Sequence, residues 1–366
     1  MTQRRNAAAA DPTPTFRGTP VGTWIDRLKD KEVAVRLKTA TTLAHGFYKA
    51  GPSAEATRAL LPVLFEALKD TDTDVRKQAA LAWVRFNRDR RPQESEAQTL
   101  LPVLLDASRD NDARVRQQAA SSLVKVNRDA KAVLAPLTKL LKDTDEEVRS
   151  HAASALGEVD PRAAAVPPLI GALDDKTAGV RNSAARSLGR IGEPARTALP
   201  RLIAALKDSD KEVRSSAAHA LGDIRSEAKA SVPALIAALN DESNREIAAR
   251  ALGRFGPAAK PAVPALLAVF NDEDEYVRMT ALKSLVQIDP EGEKTQASLI
   301  AALRDKDEMV RGTTANLCER LGPKAKAVVP TLITMLKDEK DKTVRSLAEA
   351  ALKKIDPEAA KRAGAP

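Results

Sequence analysis

Apolar positions recur along this chain in two helical patterns that alternate within each unit of 31–40 residues. In the sixth unit, Leu202 and Leu206 lie on one face of a first segment at helical spacing. A second segment, EVRSSAAHALGDI, places Val213 and Leu221 on one face, and Asp210 precedes it as the expected N-cap. No stretch alternates with a period of two residues. The pattern therefore predicts helical hairpins and no strands.

A Val-Arg dipeptide marks the second segment of each unit. Nine of the ten arginines follow a valine, and Asn244 precedes the tenth. An aspartate lies six residues before eight of these arginines, whereas Asp241 lies four residues before its arginine and Asp338 seven. A hairpin of this length cannot bury its apolar face alone, so stacked units are predicted. The arginines are Arg36, Arg76, Arg116, Arg149, Arg181, Arg214, Arg245, Arg278, Arg311 and Arg345.

The repeated unit P-x-L-I-x-x-L-x-D-x-D-x-x-V-R-x-x-A-A-x-A-L-G-x-I resembles a HEAT repeat, in the short form found in bilin-lyase-like proteins. The resemblance implies an all-α, right-handed α-α superhelical solenoid of about ten HEAT-like helical hairpins. It also implies that the recurrent aspartates and arginines hydrogen-bond within and between repeats. The repetition of these residues supports a structural role, because a catalytic group is needed once, whereas a bond that holds the scaffold together is needed in every unit. The expected structural Asp–Arg ladder includes Asp143, Arg149, Asp175, Arg181, Asp208, Arg214, Asp272, Arg278, Asp305 and Arg311.

Three regions are expected along the chain. Residues 1–20 are predicted to form a disordered N-terminal tail, and residues 357–366 a short C-terminal tail. Residues 21–356 form the predicted HEAT-repeat solenoid, in which repeats 1–3 have about 40 residues and repeats 4–10 have 31–34. The extra residues of the early repeats, near GPSAEATR and NRDRRPQESEAQ, predict longer connections or extended first helices.

Composition narrows the class of protein further. The 366 residues include 59 Lys+Arg and 50 Asp+Glu, and the net charge of +9 is scattered along the chain. No run approaches the ~20 apolar residues of a membrane-spanning helix, and the first residues have no apolar core, so we predict a cytoplasmic protein without membrane insertion. The one cysteine, Cys318, permits no intramolecular disulfide. It occupies the position of a core leucine and is expected to be buried.

Positions two, five and nine residues after each repeated arginine face away from the predicted core. In HEAT solenoids this face usually lines the concave side. Two i,i+4 pairs of arginines occur there, and each like-charged pair costs about a few tenths of a kcal/mol. A cost without local benefit favours an acidic partner, although the face also carries Glu158 and Asp223 and is equally interpreted as a solvated surface. The candidate partner-binding residues, here called the basic stripe, are Arg186, Arg190, Arg250, Arg254, Lys283 and Arg320.

No catalytic or metal-binding constellation is visible. His45, His151 and His219 fall on the same face but in repeats one, four and six, too far apart to share a metal ion. The His-Glu motifs of deoxyhypusine hydroxylase, a HEAT-repeat enzyme that holds two irons, are absent. Trp24 and Trp83 lie at predicted core positions, which leaves no platform for the base stacking of HEAT-like DNA glycosylases. We expect no catalytic residue, no metal and no cofactor.

Three functions stay open at this point. The first is a non-catalytic scaffold or adaptor that binds an elongated, acidic protein partner on its second-helix face. The second is binding of nucleic acid or another polyanion through the basic stripe, which strong salt dependence would reveal. The third is a lyase or other enzyme subunit of the bilin-lyase-like class, because the repeat pattern matches, although no cysteine or aromatic cluster suggests a tetrapyrrole pocket. The protein-binding scaffold is the favoured prediction.

Overall fold

The structure is a computed structural model in which residues 14–49, 54–86 and 94–364 are described. The chain divides into two compact units, residues 1–168 (unit 1) and 169–366 (unit 2). Within the described residues, helices alternate as first and second members of ten hairpins, so the prediction of an all-α array of about ten HEAT-like hairpins is confirmed.

Unit 1 begins with a short strand pair and continues as helical hairpins. The first helices α3 (Ala54–Ala67) and α5 (Glu94–Ala107) have 14 residues each and supply part of the longer spacing of the early repeats. Segments 50–53 and 87–93, where longer connections were the alternative, lie outside the described residues. The elements are β1 (Thr15–Phe16), β2 (Thr19–Pro20), α1 (Val21–Leu28), α2 (Val33–Lys49), α3 (Ala54–Ala67), α4 (Thr73–Phe86), α5 (Glu94–Ala107), α6 (Ala113–Val126), α7 (Ala130–Leu140), α8 (Glu146–Leu156) and a 3-10 turn (Arg162–Ala165).

The β1–β2 hairpin corrects the prediction that the chain has no strand, and over residues 15–20 it departs from the predicted disordered tail. Arg17 and Gly18 both have positive φ (52° and 74°), as a tight two-residue hairpin turn requires. Phe16 is 2% exposed, and its ring meets Trp24 edge-on with centroids 5.9 Å apart. The indole Nε1 of Trp24 also donates to the Phe16 carbonyl at 3.2 Å. These contacts tie residues 15–20 to α1, while residues 1–13 lie outside the described residues.

Unit 2 repeats a shorter hairpin, and the division between the units falls within α9. Several first helices are preceded by a 3-10 turn, and α13 instead runs through an internal proline, Pro233. The helices are α9 (Val166–Ala172), α10 (Ala178–Ile191), α11 (Leu199–Ala205), α12 (Lys211–Ile224), α13 (Ala228–Ala238), α14 (Arg245–Arg254), α15 (Val263–Val269), α16 (Glu275–Ile288), α17 (Glu293–Ala302), α18 (Glu308–Leu321), α19 (Val329–Asp338), α20 (Lys342–Ile355) and α21 (Pro357–Arg362), with 3-10 turns at Glu193–Ala198, Gly256–Ala262 and Gly322–Val328.

The C-terminal residues add a helix where only a tail was predicted. Asp356 accepts a hydrogen bond from the backbone N–H of Ala359 at 2.9 Å and so caps α21. Ala359 and Ala360 are buried in the core cluster that also contains Leu352 of α20. The segment therefore covers the apolar end of the last hairpin, at least over residues 357–362.

Second helices of successive repeats approach very closely in unit 2. The paired alanines Ala217 and Ala218 are fully buried, as are their counterparts in neighbouring repeats. At Gly222 of α12, an added Cβ would lie 2.9 Å from the Cα of Ala251 in α14. Small side chains at these positions set the spacing of the second helices, and leucines fill the space toward the first helices. This stacking places equivalent positions of successive repeats side by side.

Candidate functional site

The repeated arginine joins its own repeat to the next one. Nε and Nη2 of Arg181 donate to the two carboxylate oxygens of Asp208, both at 2.7 Å. Its Nη1 donates to the backbone carbonyls of Asp175 at 2.9 Å and Lys176 at 3.2 Å. The hydrogen bond from Arg181 holds the pKa of Asp208 below its usual value, and the same contact raises the pKa of Arg181. Thus the upstream aspartate contributes its carbonyl within the repeat and its carboxylate between repeats.

The same bidentate geometry recurs in both units. Arg149 makes the corresponding bonds within its own repeat, because its Nη1 donates to the backbone carbonyls of Asp143 at 2.9 Å and Thr144 at 3.1 Å. Arg214 differs, because its Nη2 donates to Ser243 at 3.0 Å while Nε donates to Asp241 at 2.6 Å. Two-bond pairs include Arg36–Asp70, Arg76–Asp110, Arg116–Asp143, Arg181–Asp208, Arg278–Asp305 and Arg311–Glu339.

The last of these pairs corrects one residue of the sequence analysis. Glu339, not Asp338, receives Nε and Nη2 of Arg311, at 2.7 and 2.9 Å. The Glu339 carbonyl accepts from Arg345 at 2.7 Å, so Glu339 stands at the regular distance of six residues. Asp338 is exposed at the end of α19. The regular spacing of six residues before Arg345 would have pointed to Glu339. Asp338 was predicted instead, because an aspartate was expected at this position.

In several loops a second aspartate starts the following helix, whereas α10 and α14 begin after Thr177 and Asn244 without a side-chain cap. The Asp210 carboxylate accepts the N–H groups of Glu212 and Val213, which confirms the predicted N-cap. Asp208 in turn accepts the N–H of Asp210 at 2.9 Å. The carboxylate of Asp208 is therefore shared between an arginine of one repeat and the cap of the next, and it orients both.

The basic stripe lies on the exposed side of the second helices of unit 2. All six of its residues are exposed. Positions two residues after the arginine are less open than expected, since Ser216 and Thr280 are buried beside the neighbouring second helix. Ser216 donates there to Asn182 at 2.6 Å. In these two repeats the positions nine residues after the arginine, Asp223 and Gln287, are the more exposed ones.

Four positions of this face form a continuous row across α10, α12, α14 and α16. His219 is half-buried, and its pKa is lowered first by burial and then by the charges of Arg250, Arg254 and Arg186. Arg250 and Lys283 in turn line one groove of about 340 Å³ between α14 and α16. The row, here called the inner row, consists of Arg186, His219, Arg250 and Lys283.

Acidic neighbours neutralise part of the basic stripe. Arg250 pairs with Glu246 one turn earlier on α14. Arg254 pairs with Asp223 of the preceding second helix. The sequence argument that these arginines lack a local benefit is therefore wrong for both. The i,i+4 spacing of Glu246 and Arg250 was the signal that the sequence analysis missed.

His45 and His151 each lie close to a backbone carbonyl one turn earlier on their own helix. In unit 1, Nδ1 of His45 lies 2.8 Å from the Thr41 carbonyl, and Nδ1 of His151 lies 2.8 Å from the Glu147 carbonyl. No cluster of three or more His, Cys, Asp or Glu suited to a metal ion occurs among the residues that the structure describes. Cys318 is fully buried, and burial raises the pKa of its thiol to about 12.

The family of the chain follows from its repeats. A family model described as HEAT repeats matches residues 21–124, 134–199, 172–247 and 232–299. The chain belongs to the HEAT-repeat family. Among curated proteins, none matches the chain.

Solved structures with the same fold include an engineered protein and two nuclear-transport-type solenoids. The engineered protein is 24% identical, with a TM-score of 0.56 over 92% of this chain and 98% of that one. Importin beta is 15% identical, with a TM-score of 0.64 over 94% of this chain and 56% of its own. Kap95p, solved with RanGDP, is 16% identical, with a TM-score of 0.64 over 94% and 53%. This chain spans about half the length of the latter two, and the likeness concerns the fold.

None of the helices that the structure describes is long and apolar enough to cross a lipid bilayer. The apolar residues instead form the buried seams between first and second helices.

Proposed function

We propose that this chain is a non-catalytic protein-interaction scaffold, and that the second helices of unit 2 bind an elongated acidic segment of a protein partner. The observation that carries the proposal is the inner row, in which four successive second helices each present a basic or titratable side chain. Packed helices lie 8–10 Å apart, so the row extends over about 30 Å, the length of about ten extended residues. A partner segment of that length engages all four positions.

The basic residues of the inner row differ in whether they already form an ion pair, which a partner carboxylate would have to replace. Arg186 and Lys283 are exposed and have no acidic partner among the described residues. Arg250 is held by Glu246, so a partner carboxylate at that position competes with an existing ion pair. We expect Arg186 and Lys283 to contribute most to binding, because a partner that engages Arg250 must first replace its pair with Glu246, at a cost of about 0.3–0.5 kcal/mol.

A scaffold is preferred to an enzyme on the character of the site. Arg250 and Lys283 of the inner row line an open groove. A hydroxyl–carboxylate contact in this groove, from Thr280 to Glu246 at 3.4 Å, involves a buried threonine. The repeated ion pairs join neighbouring repeats. Because the same contact recurs between repeats, it serves the stacking of the repeats and not a single reaction. A polyanion such as DNA shares the electrostatic requirement, and the test below separates it from a peptide.

The test measures binding of two fluorescein-labelled probes by anisotropy, a Glu-rich peptide of about 15 residues and a single-stranded oligonucleotide of similar length. We expect the peptide to bind more tightly than the oligonucleotide and its affinity to fall as salt rises. Arg186→Glu/Lys283→Glu is expected to weaken peptide binding at least about tenfold.

A matched variant controls for net charge. Lys229 and Lys326 are exposed, lie outside the second helices and have no ion pair among the described residues. Lys229→Glu/Lys326→Glu changes the net charge equally and is expected to leave peptide affinity within about twofold. Equal losses in both double variants, or tighter binding of the oligonucleotide, would overturn the proposal.

A further inference from the structure

The second helix of repeat 7 lacks its first turn. Helix α14 begins at Arg245 itself, whereas α12 begins three residues before Arg214 and α16 three residues before Arg278. Asn244 stands where the other repeats have a valine, which is buried in most of them, and Asn244 itself is 2% exposed. Its Oδ1 has no hydrogen-bond partner, while its Nδ2 donates to Asp241 at 2.8 Å. The repeat is thus irregular at the loop that joins its two helices.

An open groove of about 920 Å³ lies beside this shortened helix, between the first helices α13 and α15. Its floor is apolar and its side chains are small, so the space between the helices is not filled. Val277 and Leu239, both largely buried, close its inner end. The floor residues are Pro233, Ile236 and Ala237 of α13 and Ala265, Ala268 and Val269 of α15.

The rim of the groove is acidic. Its lining includes four carboxylates and one cation, Arg245, and that cation is already paired with Asp272. Glu242 and Glu273 are exposed and have no ion pair among the residues described. Asp274 is occupied as the N-cap of α16. The groove therefore carries net negative charge, opposite in sign to the basic stripe.

The ladder arginine at this groove has an unused donor. In Arg278, Nε and Nη2 bind Asp305 and Nη1 binds two carbonyls. In Arg245, Nε donates to the Leu239 carbonyl at 2.9 Å and Nη1 to the Asp272 carboxylate. Nη2 of Arg245 has no hydrogen-bond partner within the described residues, and it is available to a carbonyl group entering the groove.

We propose that this groove binds a basic segment of a protein partner, in which an apolar side chain is flanked by lysine or arginine. The apolar side chain occupies the floor, the flanking cations face Glu242 and Glu273, and a backbone carbonyl accepts from Arg245. Nucleic acid and acidic segments are repelled by the rim. The site is separate from the inner row and does not depend on it.

The test uses the full chain and a fluorescein-labelled peptide, KKLFLKK, with EELFLEE and KKGSGKK as matched probes. We expect saturable anisotropy for KKLFLKK and at least about tenfold weaker binding of the other two. Glu242→Lys/Glu273→Lys and, separately, Ala237→Trp/Ala268→Trp are each expected to lower the affinity for KKLFLKK at least about tenfold. The first variant removes the rim charge and the second fills the floor.

Two control variants keep the inference falsifiable. Glu212→Lys/Glu308→Lys makes the same change in net charge at exposed positions of other repeats. Ala204→Trp introduces the same ring at the equivalent exposed position of α11. Both should bind KKLFLKK as the unmodified chain does. Loss of binding in the controls equal to that in the groove variants, or no saturable binding of KKLFLKK up to about 1 mM, would overturn the proposal.

Discussion

Replacing Arg278 with alanine tests whether the ladder stabilises the stack of repeats. The side chains of Arg278 and Asp305 are only 6% and 11% exposed. The substitution removes two bonds to that carboxylate, at 2.9 and 2.8 Å, and two bonds to backbone carbonyls. Asp305 then keeps only the N–H of Asp307, at 2.9 Å. A shielded carboxylate is left without its counter-charge.

The expected loss is about 3–5 kcal/mol, the range for removing one partner of a buried ion pair. Arg214→Ala should cost less, about 1–3 kcal/mol, because the Arg214–Asp241 pair is 20% and 32% exposed. Water reaches Asp241, and Ser243 and Asn244 continue to donate to it. We therefore expect Arg278→Ala to lower the free energy of unfolding more than Arg214→Ala does, because the Arg278–Asp305 pair is more deeply buried.

Hydrogen exchange locates the effect and urea unfolding measures it. Because repeats contact mainly their neighbours, amides of α16 and α18 should exchange at least about a hundredfold faster in Arg278→Ala, while those of α10 change little. Arg304→Ala, at an exposed arginine of the same unit, serves as the control and should change stability by about 0.5 kcal/mol or less. Unchanged exchange at α16 and α18, or an Arg278→Ala urea midpoint equal to that of the control, would refute a structural ladder.

Three further outcomes are expected. Gly222→Ala should cost about 1–3 kcal/mol, because its Cβ would meet the backbone of α14 at 2.9 Å, whereas Gly171→Ala, with no atom within 4 Å, should be neutral or stabilising in urea unfolding. Cys318, whose pKa burial raises to about 12, should react with a thiol reagent only on unfolding, and fast labelling of the folded protein would contradict this. The Arg181 hydrogen bond lowers the pKa of Asp208 in the fold, so its stabilisation is present above the unfolded pKa of about 3.9 and is lost as pH falls through the folded pKa. Asp208→Asn should make stability less dependent on pH below about 5, and equal acid slopes would count against the contact.

Local signals predicted much of the fold. The cap at Asp210 and the apolar stripes depend on residues within one turn or one hairpin, and so the sequence reveals them directly. The pairing of Asp208 with Arg181 depends on how repeats stack. Spacing alone put Asp208 beside Arg214, which contacts its carbonyl, whereas the carboxylate belongs to the preceding arginine.

The features that the sequence analysis did not predict depend on very short elements or on contacts between residues of different helices. The β1–β2 pair has two residues in each strand, too few for an alternating pattern, and it depends on Phe16 reaching Trp24. Asp223 meets Arg254 across two second helices, a contact that no spacing within one helix predicts. Counting arginines and lysines in the sequence therefore overestimated how many cations of the basic stripe have no acidic partner.

The positions at which repeats differ are the ones left for recognition. The ladder, the paired alanines and the close contact at Gly222 occur at equivalent offsets because every interface needs them. Arg186 and Lys283 on the second helices, and Glu242 and Glu273 at the groove of repeat 7, satisfy no such requirement. Surfaces of opposite sign on separate elements each repel the segment that the other attracts. We therefore expect that the proposed acidic segment on the inner row and the proposed basic segment in the groove bind together without competing for one site.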